Sequence, residues 1–298
     1  IARHDELRDR AAAASGRAGP RFARRGQLLP RERLALLLDA GAPYLEISAC
    51  AGYLLDNPDP EKSTPGGGLL AGIGQVSGAR CMIVVDDSGI EAGALQPMGL
   101  EKFQRAQQLS LENGLPFLHL VESAGANLLR YRVEDFIFGG SHYARLARLS
   151  AAGIPVLTIV HGSATAGGAY MPGMSDFVVM VRDRARAFLA GPPLLKAATG
   201  EIATEEELGG ALMHASVSGL AEYLAEDDAD AIRAALAKQL HTPVRWVETV
   251  RGLKAAGIER VIECGPGKVL AGLSKRIDDS LPAVALVDEA SLKSALNE

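Results

Sequence analysis

Phe117-Leu118-His119-Leu120-Val121-Glu122-Ser123-Ala124-Gly125-Ala126-Asn127 is the stretch on which the reading of this chain turns. A short apolar run makes a strand, and small residues follow it at once, ahead of the next helical stretch. The same order recurs at Pro155-Val156-Leu157-Thr158-Ile159-Val160, which runs into His161-Gly162-Ser163-Ala164-Thr165-Ala166-Gly167-Gly168-Ala169-Tyr170. A further instance, Cys81-Met82-Ile83-Val84-Val85, leads into Asp86-Asp87-Ser88-Gly89-Ile90-Glu91-Ala92-Gly93-Ala94. Short continuous apolar strands that alternate with helices are the pattern of a largely parallel sheet buried on both faces, an α/β fold.

Working outward, the pattern predicts helices over 99–113 and 133–152, the second closed by Gly153 with Pro155 soon after. A strand over 69–76 turns at Ser77-Gly78-Ala79 into the strand that begins at Cys81. Further strands are expected at 177–181 and 187–190, and helices at 204–211 and 217–224. Glu226-Asp227-Asp228 should open another helix, because the positive helix end favours acids there. Residues 1–38 read as two helices broken near Gly19-Pro20, with Pro30-Arg31-Glu32-Arg33 as a good helix start. Residues 44–65 read as an irregular loop. From about 236 onward a small α/β unit is expected: helix 243–256, strand 261–263, helix 268–277, strand 283–287, helix 290–296. About 60 residues bury too little core to stand alone, so apolar surface should be exposed there.

Composition narrows the function classes. The chain has 298 residues, 48% hydrophobic and 22% charged, with a net charge of −5. That excludes a generally basic nucleic-acid binder. No apolar run reaches the ~18–20 residues of a membrane helix, and the opening residues are not a signal peptide, so a cytoplasmic location without membrane contact is expected. Cys50, Cys81 and Cys264 are far apart and form no metal or disulfide pattern. The six histidines show no ligand-pair spacing, so no metal is expected. Residues 1–33 hold nine arginines. They suit either a solvated helical arm or a partial phosphate site, because guanidinium forks match phosphate geometry.

The three small-residue loops carry the chemistry. In an open α/β sheet, ligands bind beyond the carboxyl ends of the strands. A strand that breaks into Gly and Ala before a helix offers backbone N–H groups to that crevice, and small side chains let a ligand approach them. Such donors stabilise a developing oxyanion, of which a thioester enolate is one. The competing reading is that the glycines serve only tight turns and close packing. Two other uses are weighed. Ser163 or Thr165 could be a nucleophile with His119, His142 or His161 as base, although no GxSxG motif is present. Lys196 could meet a phosphate, although no P-loop motif is present. Tyr170 and Met171 suit a pocket wall or the core.

These loops bring a resemblance into view. Residues from about 20 to about 230 resemble the N-terminal domain of the carboxyltransferase (beta) subunit of biotin-dependent acyl-CoA carboxylases, in the methylcrotonyl-CoA and geranyl-CoA branch. The residues that carry it are Arg25-Gly26-Gln27-Leu28-Leu29-Pro30-Arg31-Glu32-Arg33 and the stretches 66–74, 122–128, 150–155, 165–176, 191–201 and 205–210. The resemblance implies a crotonase-like ββα superhelix that binds acyl-CoA. It implies that carboxybiotin, carried by a partner domain or a biotin carboxylase/biotin-carrier subunit, releases carbon dioxide. The biotin ring then takes a proton from the α- or γ-carbon of the acyl group, and the enolate so formed captures the carbon dioxide. The amides of Ala124 and Gly125 would hold the enolate oxygen. Gly89, Ala92, Gly93, Ala126, Ala166, Gly167, Gly168, Tyr170 and Lys196 would line the substrate site, with Arg25, Arg31 and Arg33 as candidates for the CoA phosphates. The family's second domain, which completes the site, is not expected in this chain, and a homo-oligomer is.

Residues 236–298 resemble something else, the C-terminal end of a malonyl-CoA:acyl-carrier-protein transacylase. The carriers are Gln239-Leu240-His241-Thr242-Pro243-Val244-Arg245-Trp246, Glu263-Cys264-Gly265-Pro266-Gly267-Lys268-Val269-Leu270 and Ser274-Lys275-Arg276-Ile277. That family's nucleophile motif is absent from the sequence. The chain therefore divides into an acyl-CoA-binding domain over 1–235 and a transacylase-like fragment over 236–298, meeting between Glu226 and Gln239. The alternatives to a carboxyltransferase are a non-catalytic acyl-CoA-binding or assembly module and a transacylase-related chain.

Overall fold

The computed structural model describes residues 2–55, 57–126, 130–232, 246–264 and 269–297. Asn127, the junction residues from 233, the expected helix start at 243–245 and Lys268 lie outside them. The chain falls into two compact units, 1–240 and 241–298.

In the first unit, three helices precede the sheet: α1 (Ala2–Gly16), α2 (Gly19–Arg24) and α3 (Pro30–Leu37). The break at Gly19-Pro20 is where the sequence puts it, but the run it opens ends at Arg24, so the segment holds three helices. Proline at the first turn of α2 and of α3 costs no hydrogen bond, since the first helical N–H groups have no partner within the helix. The sheet strands are β1 (Leu45–Glu46), β2 (Leu69–Val76), β3 (Ala79–Asp86), β4 (Phe117–Ser123), β5 (Val156–Thr165), β6 (Phe177–Val181), β7 (Arg186–Phe188) and β8 (Tyr223–Ala225). Their order is β1-β2-β3-β4-β5-β6-β8, with β7 also pairing with β5. The first two pairings are antiparallel and the rest parallel. The β2–β3 hairpin turns on Ser77 and Gly78 with φ of 50° and 81°, the left-handed geometry that matches strand twist in a two-residue loop.

Burial explains the continuous apolar runs. Ile83, Val84, Val85, Phe117, Val121 and Val160 are wholly buried, because helices such as α4 (Pro97–Asn113) and α6 (Ser141–Ala151) cover the sheet. Two expectations need correction. The helix expected over 133–152 is two helices, α5 (Val133–Gly139) and α6, since consecutive glycines 139 and 140 lower helix propensity at the break. The helix expected over 217–224 is absent. A π-type turn at His214–Ser218 ends on Gly219, whose φ of 71° stops the helix, and β8 then pairs with β6.

The second unit contains helix Trp246–Ala255, strand Val261–Cys264, helix Val269–Ile277, strand Ala283–Leu286 and helix Glu289–Asn297. Its two strands pair in parallel, from Val261 opposite Ala283 to Cys264 opposite Leu286. Apolar surface is exposed at Ile258, Ile262 and Leu292.

Candidate functional site

The loops after β3 and β4 are joined backbone to backbone, and the loop after β5 packs against the second. Ala124 N–H donates to Ala92 O at 3.1 Å, and Leu95 N–H donates to Gly125 O at 2.8 Å. Ser123 Oγ donates to Gly93 O at 2.9 Å. Contact this close excludes side chains: a Cβ on Gly93 would lie 2.1 Å from Glu122 O, and one on Gly125 would lie 3.0 Å from Thr165 O. Both glycines also have positive φ, 70° and 86°, which L side chains adopt only with strain. Ala166 does so at φ 52°, in the left-handed region that costs a non-glycine residue ~1–2 kcal/mol. Strain of this kind concentrates at functional sites.

The two amides expected to hold an oxyanion are not free. Ala124 N–H is spent on Ala92 O, and Gly125 N–H donates to Ser123 Oγ at 3.1 Å. A serine two residues upstream naturally forms such a turn, and it satisfies the amide locally. Ala166 and Gly167 instead open the 3₁₀ turn Ala166–Ala169, where the leading N–H groups have no acceptor within the turn.

Beside the loops lies a cleft of about 740 Å³. Its walls include Ser88 and Ala92 of the first loop, Glu122 and Ala124 of the second, and Gly162, Ser163 and Thr165 of the third. Arg21, Phe22 and Arg25 come from α2 and its end, and Arg184 and Arg186 from the approach to β7. Arg21 Nη2 donates to Ser88 O at 3.0 Å, which ties the helical arm to the first loop. Arg184 Nη1 donates to Gly26 O at 2.8 Å. Arg186 Nε stands 2.9 Å from Glu205 Oε2. Arg25 is exposed and makes no ion pair among the described residues.

Behind the cleft wall sits a buried charge cluster. Arg33, only 1% exposed, gives Nη1 to Glu122 Oε2 at 2.6 Å and Nε to Asp228 Oδ2 at 3.3 Å. Glu122 also accepts from Ser88 Oγ at 2.9 Å and from Gln27 Nε2 at 3.4 Å. Asp228 accepts from Leu28 N–H at 2.8 Å and stands 2.9 Å from His161 Nδ1. Burial alone would raise the Asp228 carboxyl, but His161, Arg33 and the Leu28 amide hold it well below the usual carboxylate range. Burial, then the nearby Arg33 charge, pushes the His161 imidazole down, so it stays neutral. The cluster thus ties the segment before α3 to all three loops and fixes negative charge behind them.

The residues expected from sequence divide. Ala92, Ala124 and Arg25 line the cleft. Gly93, Gly125, Ala126, Ala166, Gly167 and Gly168 lie in the joined loops. Tyr170, 47% exposed, stacks on Tyr143 with ring centroids 5.1 Å apart. Gly89 packs on Ser15 of α1, where its Cβ would be 2.4 Å from Ser15 Oγ. Three phosphate candidates lie off the cleft wall. Arg33 is buried in ion pairs, Arg31 lines a separate small cavity with Arg8, Glu46 and Asp87, and Lys196 is exposed on Pro192–Thr199, off the cleft wall. The nucleophile–base reading also fails on geometry among the described residues. His119 bonds Asp86 at 3.1 Å, His142 Nδ1 meets Gly139 O at 2.5 Å and His161 meets Asp228, so none pairs with Ser163 or Thr165. Sequence reasoning missed Glu122, Asp228, Gln27, Arg184 and Arg186. The alternating arginines of Arg182-Asp183-Arg184-Ala185-Arg186 were a visible signal. The acids were not, because their partners are distant in sequence.

Known proteins share this fold. The carboxyl transferase domain model matches residues 22–244, three quarters of the chain. This chain belongs to that family. The probable biotin-dependent acyl-coenzyme A carboxylase beta2 subunit of Mycobacterium tuberculosis is 46% identical over 248 residues, covering 82% of this chain and 45% of the relative. The biotin-dependent 3-methylcrotonyl-coenzyme A carboxylase beta1 subunit of the same organism is 47% identical, covering 75% and 42%. Among solved structures, the beta subunit of P. aeruginosa geranyl-CoA carboxylase is 52% identical with a TM-score of 0.73, covering 80% of this chain and 44% of that one. The transcarboxylase 12S structure with methylmalonyl-coenzyme A bound is 28% identical with a TM-score of 0.70, covering 80% and 47%. The family therefore carries the crotonase-like α/β fold that the sequence implied. The chain spans under half the length of these relatives. Among the described residues no helix is long and apolar enough to cross a membrane, and no group of three or more potential ligands stands together as a metal site.

Proposed function

We propose that the cleft binds an acyl-CoA thioester and that the chain is the acyl-CoA half of a carboxyltransferase. The observation that carries the reading is the joining of three small-residue loops to an arginine-rimmed cleft in one body. Arginines 21, 25, 184 and 186 suit the phosphates of CoA, because a guanidinium offers paired donors to phosphate oxygens. The small side chains of Ala92, Ala124, Gly162 and Ser163 let a thioester come close to backbone. The thioester oxygen then takes the opening amides of the third loop and competes with Ser123 Oγ for the Gly125 N–H. Preorganised amides of this sort favour charge that appears only as the enolate forms.

Biotin, borne by a partner domain or carrier subunit, supplies the carboxyl group when bound. The small residues Ala92, Ala124, Gly162 and Ser163 on the loop walls fit a flat ring reaching the backbone there. This chain's own residues bind and orient the thioester, while the buried carboxylates of Glu122 and Asp228 fix the loops. Ala126, Gly168 and Tyr170 complete the acyl side of the site. We further place the protein in the cytoplasm and in a homo-oligomer that docks the biotin carrier. For residues 236–298 the reading is kinship with the end of a malonyl-CoA:acyl-carrier-protein transacylase, and residues 1–235 form the acyl-CoA-binding domain.

Isothermal calorimetry with 3-methylcrotonyl-CoA tests the central step. Affinity in the micromolar range, about −8 kcal/mol, is expected. Absence of binding would sink the reading.

A further inference from the structure

Tyr143, on α6, reaches the third loop through its hydroxyl, which donates to Gly167 O at 3.1 Å. Its ring packs against the core, meets His142 at 3.8 Å between centroids and meets Tyr170 at 5.1 Å. The approach is close, since a Cβ at 167 would stand 2.7 Å from Tyr143 Oη and one of the two would have to shift. Burial, then Tyr170, raises the Tyr143 phenol, so it keeps its proton and remains a donor.

The bond falls at a decisive place. Thr165 leaves β5 extended, with φ −114° and ψ 147°, and Ala166 turns at once into the left-handed region. Gly167 comes next, and its N lies 3.8 Å from where a Cβ of Gly125 would stand. The same residue therefore follows the strained turn, meets the second loop and carries the carbonyl that Tyr143 holds. A planar peptide cannot rotate part of itself, so fixing that carbonyl fixes the Gly168 N–H with it and anchors the end of the strained turn at the Gly167 Cα.

We propose that Tyr143 is a positioning residue, whose bond to the Gly167 carbonyl fixes the Gly168 N–H and with it the turn that presents the third loop to the thioester oxygen. The inference rests on the acyl-CoA reading above. It assigns a role to a side chain that touches neither substrate nor reacting atoms.

The test uses the full chain with 3-methylcrotonyl-CoA carrying ¹³C at the thioester carbonyl. Infrared difference spectra read the carbonyl stretch, and calorimetry reads affinity. In the unaltered protein the stretch moves to lower frequency on binding, as hydrogen bonds polarise the carbonyl. Tyr143→Phe keeps the ring contacts, so its melting curve stays cooperative. It is expected to bind within about threefold of the unaltered protein and to lose half or more of the frequency shift. Gly167→Ala pushes the loop off the hydroxyl from the other side, and it should lose the shift as well. The double variant should lose no more than the larger single loss, because both changes break one contact. A full shift in Tyr143→Phe overturns the inference, and so do losses that add. Failure of the unaltered protein to bind overturns the acyl-CoA reading itself, and it is visible before any variant is made.

Discussion

The two units use parallel strands in opposite circumstances. In the first, β3, β4 and β5 are walled in on both faces, and Val84, Phe117 and Val160 have no exposed surface. In the second, two strands form the whole sheet among the described residues, and every position of Ala283–Leu286 is only partly buried. A buried parallel sheet needs neighbours on each side and helices above and below. With them, the chain can set strained loops such as Ala166 at the strand ends and keep them there. A two-stranded pair lacks that surplus of packing. The proposed site thus lies at the ends of the deeply buried strands.

The largest expected effect tests this contrast through charge. Asp228→Ala leaves Arg33 buried with part of its pairing gone, and about 3–5 kcal/mol of stability should be lost in urea unfolding. The exposed Lys293–Glu289 pair of the second unit should yield under about 1 kcal/mol on Lys293→Ala. Equal losses would erase the distinction between the units. Next comes packing. Ile159→Ala in β5 should cost about 2–5 kcal/mol, as a buried large-to-small change does. Ile262→Ala, at an exposed position, should cost well under that, which the same unfolding curves would read.

Much of the fold was legible in the sequence because strand burial writes itself as apolar runs. Ile83-Val84-Val85 and Val178-Val179-Met180 could hardly be anything else. The loops were legible too, since backbone contact at Gly93 and Gly125 excludes side chains. What stayed hidden depends on partners far along the chain. Tyr223–Ala225 is a strand only because the edge of β6 accepts it. Arg33 looked like a phosphate ligand, yet Glu122 and Asp228, 89 and 195 residues away, bury it. Ala124 and Gly125 carry amides of the expected kind, but Ala92 O and Ser123 Oγ take them; the serine turn is local, whereas the Ala92 partner lies 32 residues away and is not readable from spacing.

Acid should sharpen the comparison by a smaller amount. His161 is held neutral in the folded unit, whereas the unfolded chain protonates near about pH 6.5, so the unfolded state binds more protons. The stability this confers is present above about pH 6.5 and falls as the pH drops below it. Asp228, depressed in the fold, adds a second loss below about pH 4. Melting temperature against pH should fall in that order, and His161→Gln should reduce the first decline, the remainder coming from His142, which burial also pushes down. The smallest effect concerns the cleft rim. Arg25→Ala should weaken CoA-thioester binding by about fivefold, with less loss at high salt, because an exposed charge is screened.

The cleft as a CoA-thioester site is the central claim, and calorimetry of the full chain against the Arg25→Ala/Arg184→Ala double variant tests it most directly. The account predicts micromolar binding of 3-methylcrotonyl-CoA to the unaltered chain, weakened about tenfold or more in the double variant, as loss of charged hydrogen bonds requires. Undiminished affinity in the double variant, or no heat from the unaltered chain, would contradict it.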